Sequence, residues 1–380
     1  MEFRYGTVEN MVTKSTTCNM KINQNFWAKK RVFVTGHTGF KGSWLCLWLR
    51  SMGAQIRGYA LPPDTSPHLF GALELEHEID NVFADIRCGN ELKASLGSYQ
   101  PEIVFHLAAQ PLVRRSYKEP IGTLETNIMG TANLLEAVRE LKCVRAVVVV
   151  TSDKCYENKE WPWGYRETDN LGGHDPYSAS KACAEIVTAA YRDSFFSRMT
   201  NGDGPHTAIA TARAGNVIGG GDWAPDRLVP DCIRALTNNE TVLIRYPKAI
   251  RPWQHVLEPV HAYLALAEQL TTRGNDLADA WNFGPGNGGI ADVETLVKTM
   301  LRHWGSGTYR VTAAPDVREA LTLILDIGKA IRFLGYRPLY SFDEAVSETA
   351  AWYKIFAQTP EKIRDYSLER ISIFHTRMDT

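Results

Sequence analysis

The sequence predicts an α/β protein with a doubly wound parallel sheet and a smaller, discontinuous C-terminal domain. Three observations predict this fold class. Short apolar runs alternate with helical patterns from residue 31 to residue 214. The run AVVVVT at 146–151 lacks period-two alternation, as expected of a strand buried on both faces. A glycine-rich turn, TGHTGFKG at 35–42, joins the first apolar run to the first helical pattern.

The predicted elements follow in order along the chain. Strands are expected at 31–35, 55–60, about 81–86, 102–107, 145–151 and 208–212, with helices between most of them. A long helix is expected at about 176–195, and a later strand at 281–284. Glycines and prolines dominate from 215 to 259, which predicts a second domain built from separated segments. Residues 1–28 are polar and aperiodic, and they predict a loose N-terminal extension.

Composition excludes several classes of partner. A net charge of -1 on 380 residues gives no field that attracts nucleic acid or an anionic membrane. The seven cysteines are scattered and form no C-x-x-C pair, which predicts reduced thiols and a cytoplasmic location. The histidines show no zinc-binding spacing, so no metal is expected. No apolar stretch approaches the roughly 20 residues that span a bilayer, so no membrane partner is expected.

The glycine-rich turn predicts a dinucleotide site. Gly36, Gly39 and Gly42 follow a strand and open a helix, which lets backbone amides approach a pyrophosphate. The spacing is G-x-x-G-x-x-G rather than the commoner G-x-G-x-x-G, and an ordinary turn is the alternative; the preceding strand favours the site. Asp85 is a candidate acceptor for the adenine amine. The predicted cofactor-binding positions are Gly36, Thr38, Gly39, Phe40, Lys41, Gly42, Asp85, Ile86, Leu107, Ala108, Ala109, Gln110, Thr126, Tyr177 and Lys181.

The end of the second strand does not decide between NAD and NADP. An acid about 20 residues past the glycines usually binds the adenosine ribose. Here the strand ends in Tyr59 and Ala60, and the first acid after it is Asp64. NAD over NADP does not follow from this strand end, and Arg57 and Lys41 even suit a 2'-phosphate unless they are simply solvated charges.

Two clusters predict the chemistry. Tyr177 and Lys181 stand one helical turn apart in PYSASK, so the ammonium is expected to lower the phenol's pKa and make Tyr177 a base. Ser152, Asp153 and Lys154 follow the fifth strand, where open α/β sheets place catalytic side chains. Ser152 suits a hydrogen bond to a reacting hydroxyl, Asp153 a general acid, and Lys154 a base or an electrostatic partner of an enolate. The alternatives are an ordinary turn for S-D-K and an inward-packed Tyr177.

With these motifs in place, the chain resembles the extended short-chain dehydrogenase/reductase superfamily, and most closely its CDP-glucose 4,6-dehydratase family. The likeness spans about 25–353, and SDKCY, GGGDW and RPWQHV are its most specific motifs. The resemblance implies NAD as cofactor, CDP-glucose as substrate and a homodimer or tetramer. It implies a Rossmann-like NAD-binding domain at 29–214 plus about 255–285, and a nucleotide-sugar-binding domain at about 215–254 plus 286–380.

The resemblance also implies a mechanism. Tyr177 takes the proton of the sugar's 4-hydroxyl while hydride passes from C4 to NAD. Water then leaves across C5 and C6 as Asp153 protonates the departing hydroxyl, and hydride returns to C6. The product is CDP-4-keto-6-deoxyglucose, a precursor in deoxysugar and O-antigen lipopolysaccharide synthesis. The substrate-binding positions carried over are Asn216, Arg227, Arg251 and Glu319.

Two departures from the family pattern leave questions open. The dTDP-glucose relatives have a Glu as C5 base where this chain has Lys154, so the C5 base is not identified. The segment APDVREALTLILD lacks the histidines of the CDP relatives, which leaves recognition of the base in doubt. Another sugar-nucleotide 4,6-dehydratase, or a 4-epimerase or reductase without the acid at Asp153, remains an alternative, as does a non-catalytic dinucleotide sensor.

Overall fold

The computed structural model describes residues 20–196, 207–313 and 320–379. The strands in these ranges are β1 (Arg31–Thr35), β2 (Gln55–Ala60), β3 (Asp80–Phe83), β4 (Ile103–His106), β5 (Ala146–Val150), β6 (Ala208–Ala214), β7 (Val217–Ile218), β8 (Val242–Ile244), β9 (Ile250–Pro252), β10 (Gln254–His255), β11 (Ala280–Phe283), β12 (Ile290–Asp292) and β13 (Tyr309–Val311).

A seven-stranded parallel sheet forms the centre of the protein, with the strand order β3-β2-β1-β4-β5-β6-β11. Val32 in β1 pairs with Ile56 on one side and with Ile103 on the other. The order therefore reverses between β1 and β4, which is where doubly wound sheets open a crevice at the carboxyl ends of their strands. The predicted α/β fold class is confirmed.

The helices of the described ranges are α1 (Gln24–Trp27), α2 (Phe40–Ser51), α3 (Leu69–Ala72), α4 (Gly89–Tyr99), α5 (Val113–Lys118), α6 (Pro120–Leu124), α7 (Gly130–Arg139), α8 (Pro176–Tyr191), α9 (Leu228–Thr237), α10 (Leu257–Arg273), α11 (Val293–Trp304), α12 (Gly328–Leu334), α13 (Phe342–Gln358) and α14 (Ile363–Asp379). The helix predicted at 176–195 is α8, which continues as a π-helical turn at Arg192–Phe196.

Two hydrophobic cores lie on opposite faces of the sheet. Successive side chains of a strand point to opposite faces. Val148 and Val150 of β5 accordingly face the core that includes α2 and α10, whereas Val147 and Val149 face the core that includes α4 and α7. All five residues of β5 are buried. The valine run is uninterrupted because both faces of this strand are covered.

Three two-stranded sheets accompany the main sheet: β7 with β10, β9 with β12, and β8 with β13. They belong to the segments expected to form the smaller domain. The strand predicted at 281–284 is β11, which pairs with β6 at the edge of the main sheet.

The expectation of a loose N-terminal extension is wrong from Met20 onward. Met20, Ile22 and Trp27 are buried, and the Trp27 ring stacks on Phe105 of β4 at a centroid distance of 6.2 Å. The spacing of these three side chains matches neither a helix nor a strand, so only the tertiary contacts reveal them as core. The remainder of the predicted extension, residues 1–19, lies outside the described ranges.

The cysteines within the described ranges, Cys46, Cys88, Cys143, Cys155, Cys183 and Cys232, form no disulfide. Among the helices that the structure describes, none has the length and apolar character needed to cross a bilayer.

Candidate active site

One cleft of about 930 Å³ collects the predicted site residues at the carboxyl edge of the sheet. Every predicted cofactor, catalytic and substrate position within the described ranges lines this cleft. Glu319 falls in 314–319, outside the described residues. Residues far apart in sequence, such as Gly36, Ser152 and Arg251, therefore share one surface.

The glycine-rich turn fits a dinucleotide pyrophosphate. Gly39 is the N-cap of α2 and provides no side-chain cap, so the first amides of the helix remain available to an anion in the cleft. Gly36 has φ +74°, a conformation that favours glycine. A Cβ at Gly42 would lie 2.1 Å from the carbonyl oxygen of Gly36, so the turn can close against α2 only around glycine.

Gly42→Ala is expected to weaken NAD binding by at least about tenfold and to lower the melting temperature, because backbone rather than a movable side chain blocks the added methyl group. Gly97→Ala is the matched control, since it also places alanine in a helix but meets no atom within 4 Å. Fluorescence titration with NAD and thermal unfolding measure both effects. Equal NAD affinity in the two variants would contradict this account of the turn.

Asp85, the predicted acceptor for the adenine amine, forms an ion pair. The Asp85 carboxylate lies 2.6 Å from the Arg87 guanidinium, whose hydrogen bonds lower the pKa of Asp85. Arg57 is not among the residues that line the cleft, and its guanidinium pairs with Asp80 at 2.6 Å. The suggestion that Arg57 receives a 2'-phosphate is therefore not supported.

Lys41 brings positive charge to the first turn of α2. Its ammonium lines the cleft and donates to the Tyr263 hydroxyl at 3.5 Å. Burial, reinforced by the positive charges of Lys181 and Arg227, lowers the pKa of Lys41 to about 7. A bound anion would relieve this repulsion, so the arrangement favours a phosphate-bearing ligand.

Tyr177 and Lys181 lie together at the start of α8, whose first turn is capped by the Asp175 side chain. The Lys181 ammonium donates to the Val150 carbonyl at 3.5 Å. Burial raises the pKa of Tyr177 to about 12, opposed by Ser152, and burial lowers the pKa of Lys181 to about 8. The expected lowering of the phenol's pKa is not found in the protein alone, because desolvation of the phenolate outweighs the Ser152 hydrogen bond and the Arg227 charge.

The Asp153 carboxylate occupies a tight socket. Its side chain is 1% exposed. Ser152 Oγ donates to Oδ1 at 2.9 Å, and Asn216 Nδ2 donates to Oδ2 at 3.2 Å. The Lys154 ammonium lies 3.9 Å from Oδ1. A Cβ at Gly215 would lie only 2.0 Å from Oδ2, so Gly215 leaves the space that the carboxylate fills.

Gly215→Ala is expected to displace the Asp153 carboxylate and to reduce product formation by at least about tenfold, a typical result of misplacing a reacting group. Steady-state kinetics with parallel NAD titration measure the change. NAD affinity should stay near the parent value, as in Gly97→Ala. Full turnover in Gly215→Ala would show that the carboxylate does not need this position.

The predicted substrate-binding residues differ in their contacts. Arg227 pairs with Asp222 at 2.8 Å, and both line the cleft. Arg251 donates to the backbone carbonyls of Ile250 and Leu321 at 2.8 and 3.2 Å, so it also ties neighbouring segments together. The Asn216 amide is directed at Asp153, as described above.

Sequence reasoning missed several residues of the site. Gly215 was not identified because its role depends on a carboxylate 62 positions earlier in the chain. Asp222 was visible only as part of the motif GGGDW, although its carboxylate pairs with Arg227. Glu185 stands one helical turn after Lys181, and that spacing was the available signal.

Within the described ranges, no cluster of three or more histidine, cysteine, aspartate or glutamate residues is arranged to hold a metal ion. The cleft is lined by hydroxyls, carboxylates and cationic nitrogens, among them those of Tyr177, Asp153 and Lys181.

Comparisons with known proteins place the chain among sugar-nucleotide enzymes. The family model of GDP-mannose 4,6 dehydratase matches residues 33–349. A CDP-glucose 4,6-dehydratase from Salmonella typhimurium is 50% identical over 334 residues, which cover 88% of this chain and 93% of that protein.

Solved structures show the same architecture. The dTDP-glucose 4,6-dehydratase of Streptomyces venezuelae, solved with NAD and TYD bound, has a TM-score of 0.73 and 25% identity, covering 88% of this chain and 99% of that one. A UDP-glucose 4-epimerase from Thermotoga maritima, with UDP-glucose, has a TM-score of 0.74 at 22% identity, covering 86% and 99%, and shares the fold. The resemblance seen in the motifs is confirmed, and the chain belongs to the GDP-mannose 4,6-dehydratase family.

Proposed function

We propose that the protein dehydrates CDP-D-glucose to CDP-4-keto-6-deoxy-D-glucose with NAD as its cofactor, acting as a hydro-lyase. The observation that carries the proposal is the buried Asp153 carboxylate in the same cleft as Tyr177, Lys181 and the glycine-rich turn. An acid at this place gives a dehydrogenase-like site the additional group that elimination of water requires. The 50% identical relative is named for the same reaction.

Each residue has a defined part in this proposal. Tyr177 accepts the proton of the 4-hydroxyl, and Ser152 hydrogen-bonds the same oxygen. Lys181 supplies positive charge beside the phenolate that forms. Asp153 donates a proton to the departing 6-hydroxyl. The glycine-rich turn and the first amides of α2 would hold the pyrophosphate of NAD, which supplies the hydride acceptor when bound.

The diphosphate and the sugar of the substrate are assigned to cleft residues outside the glycine-rich turn. Arg227, Arg251 and Asn216 would bind the diphosphate and the sugar, since a guanidinium matches phosphate oxygens well. Lys154 lies beside Asp153 and is the candidate for removing the C5 proton or stabilising the enolate. Residues 29–214 and about 255–285 would bind NAD, with the other segments of the chain binding the nucleotide sugar.

Product analysis tests the function. The protein is incubated with NAD and, separately, with CDP-, dTDP-, GDP- and UDP-glucose, and each mixture is examined by mass spectrometry for loss of water. Formation of the 4-keto-6-deoxy sugar from CDP-glucose, without net accumulation of reduced cofactor, is the expected result. Failure to dehydrate any of the four nucleotide sugars would refute the proposal.

We also propose a cytoplasmic homo-oligomer that serves lipopolysaccharide precursor synthesis. Support for assembly comes from large apolar side chains exposed on and between α6, α7 and α8: Ile121, Met129 and Ile186 are 65, 55 and 55% exposed. A second copy would remove this surface from water. Analytical ultracentrifugation should give a dimer or tetramer, and Ile186→Glu should shift it toward monomer. A monomer at all concentrations would contradict the assembly.

A further inference from the structure

A buried ion pair lies beneath the strand end that carries Ser152. Glu185 of α8 and Arg213 of β6 are each 3% exposed, with 2.8 Å between Nη2 and Oε2. The Glu185 carboxylate also accepts a hydrogen bond from Thr211 Oγ1 at 2.7 Å and one from Thr151 Oγ1. Thr151 directly precedes Ser152. Three separate donors therefore hold this carboxylate in one position.

The arginine of the pair is also fixed on its other side. Arg213 Nη1 donates to the Tyr156 hydroxyl at 2.7 Å and to the Glu167 carbonyl at 3.2 Å. The Tyr156 hydroxyl in turn donates to Asn282 in β11 at 2.7 Å. The network connects α8 with β6, with β11, with the residue that follows β5 and with the loop after S-D-K. A buried ion pair by itself adds little to the stability of a fold. The Glu185–Arg213 pair does, however, fix the position of the Glu185 charge.

Lys181 has no carboxylate within ion-pair distance among the described residues; the hydrogen bond of its ammonium goes to the Val150 carbonyl. The titratable groups that act on it are few. Lys41 of α2 is a like charge, and His106 at the end of β4 is uncharged because burial lowers its pKa to about 3. Cys155 faces it from the turn after β5.

Glu185 is the acid whose charge opposes the effect of burial on the pKa of Lys181, and Cys155 acts in the same direction as Glu185. Glu185 stands four residues after Lys181, on the same face of α8, where side chains of successive turns are neighbours. Burial lowers the pKa of Lys181 to about 8, and the charge of Glu185 is the largest influence that raises it. Tyr177, one turn before Lys181, completes the same helical face.

We propose that Glu185, held by Arg213, Thr151 and Thr211, is a positioning residue that supplies the negative charge facing the Lys181 ammonium and fixes the strand end that carries Ser152. The inference rests on the role proposed for Lys181 in the dehydratase. With this proposal the site includes, besides the residues that line the cleft, the buried Glu185–Arg213 pair behind them.

The test replaces both charges at once. Glu185→Gln alone would leave Arg213 buried without a partner and is expected to destabilise the fold. The double variant Glu185→Gln/Arg213→Gln removes that penalty and should melt near the parent temperature. Competitive acetylation of the full-length protein across a pH series, read by mass spectrometry, then reports the midpoint at which Lys181 loses its proton. Lys181 lines the cleft, so the reagent can reach it.

The midpoint for Lys181 is expected to fall in the double variant by less than about one pH unit, because the loss of the Arg213 charge offsets part of the loss of the Glu185 charge. The direction is downward, since Glu185 is the largest influence that raises the pKa of Lys181. The alkaline limb of the turnover profile should move in the same direction. An unchanged midpoint in a folded double variant would overturn the proposal, because a merely structural pair would not alter the titration of Lys181.

A second variant tests the same charge while keeping the buried ion pair. Glu185→Asp keeps a carboxylate opposite Arg213, but its side chain is one methylene shorter and the charge lies farther from Lys181. The midpoint of the Lys181 titration should therefore fall by less than in the double variant. A midpoint identical to that of the parent would again overturn the proposal. Because acetylation is read without substrate, its result is separate from the proposed function: a Lys181→Met variant with parent turnover would contradict the function and leave the titration intact.

Discussion

Tyr177→Phe is expected to reduce turnover by at least about a hundredfold, because proton transfer by a positioned base contributes on that scale. The hydroxyl is the only group removed, and no other tyrosine lies at the start of α8. Product formation at saturating CDP-glucose measures the loss. The high pKa of Tyr177, about 12 in the protein alone, means that the phenolate must be stabilised during the reaction rather than stored beforehand.

Tyr309→Phe provides the matched control. Tyr309 donates its hydroxyl proton to Glu294 at 2.7 Å, and it is absent from the residues that line the cleft. Both variants should melt within a few degrees of the parent, and Tyr309→Phe should keep parent turnover. Comparable turnover in Tyr177→Phe and Tyr309→Phe would remove Tyr177 from the chemistry.

Asp153→Asn is expected to separate oxidation from elimination. Oxidation at C4 requires Tyr177 and the cofactor, so reduced cofactor should appear in a single turnover. Water loss should slow by at least about a hundredfold, because the amide cannot deliver a proton to the departing hydroxyl. Stopped-flow absorbance of the reduced nicotinamide, combined with quenched product analysis, measures the two steps.

The socket around Asp153 makes this substitution informative. The amide can still accept from Ser152, but its nitrogen would face the Asn216 amide, which costs about 1 kcal/mol for one lost hydrogen bond. Asp343→Asn is the control, since Asp343 is exposed and pairs with Arg302 on the surface. Dehydration at the parent rate in Asp153→Asn would show that another group supplies the proton.

The positions of the main strands along the chain were predictable most clearly where a strand, like β5, is an uninterrupted apolar run that both faces of the sheet cover. β3 is less buried and more polar. The turn at 35–42 was predictable for a related reason: the approach of backbone at Gly36 and Gly42 restricts the residue type, and such restrictions are visible in the sequence. Tyr177, Lys181 and Ser152 to Lys154 were predictable because chain order places them at one edge of the sheet.

The remaining features depend on contacts between distant residues. Trp27 stacks on β4 although the sequence around it shows no strand or helix period, and Gly215 accommodates a carboxylate from the turn after β5. The pKa of Tyr177 also depends on burial, which the i, i+4 spacing with Lys181 does not reveal. Spacing along a helix predicts which groups are neighbours; it does not predict how far the surroundings desolvate them.

Transfer of deuterium from C4 to C6 tests the central claim most directly. CDP-glucose deuterated at C4 is converted by the protein with catalytic NAD, and the product is analysed by NMR and mass spectrometry. A dehydratase that returns the same hydride gives a 4-keto-6-deoxy product with deuterium at C6. Deuterium retained at C4 in an epimerised sugar, or deuterium that accumulates in the reduced cofactor without water loss, would contradict the account.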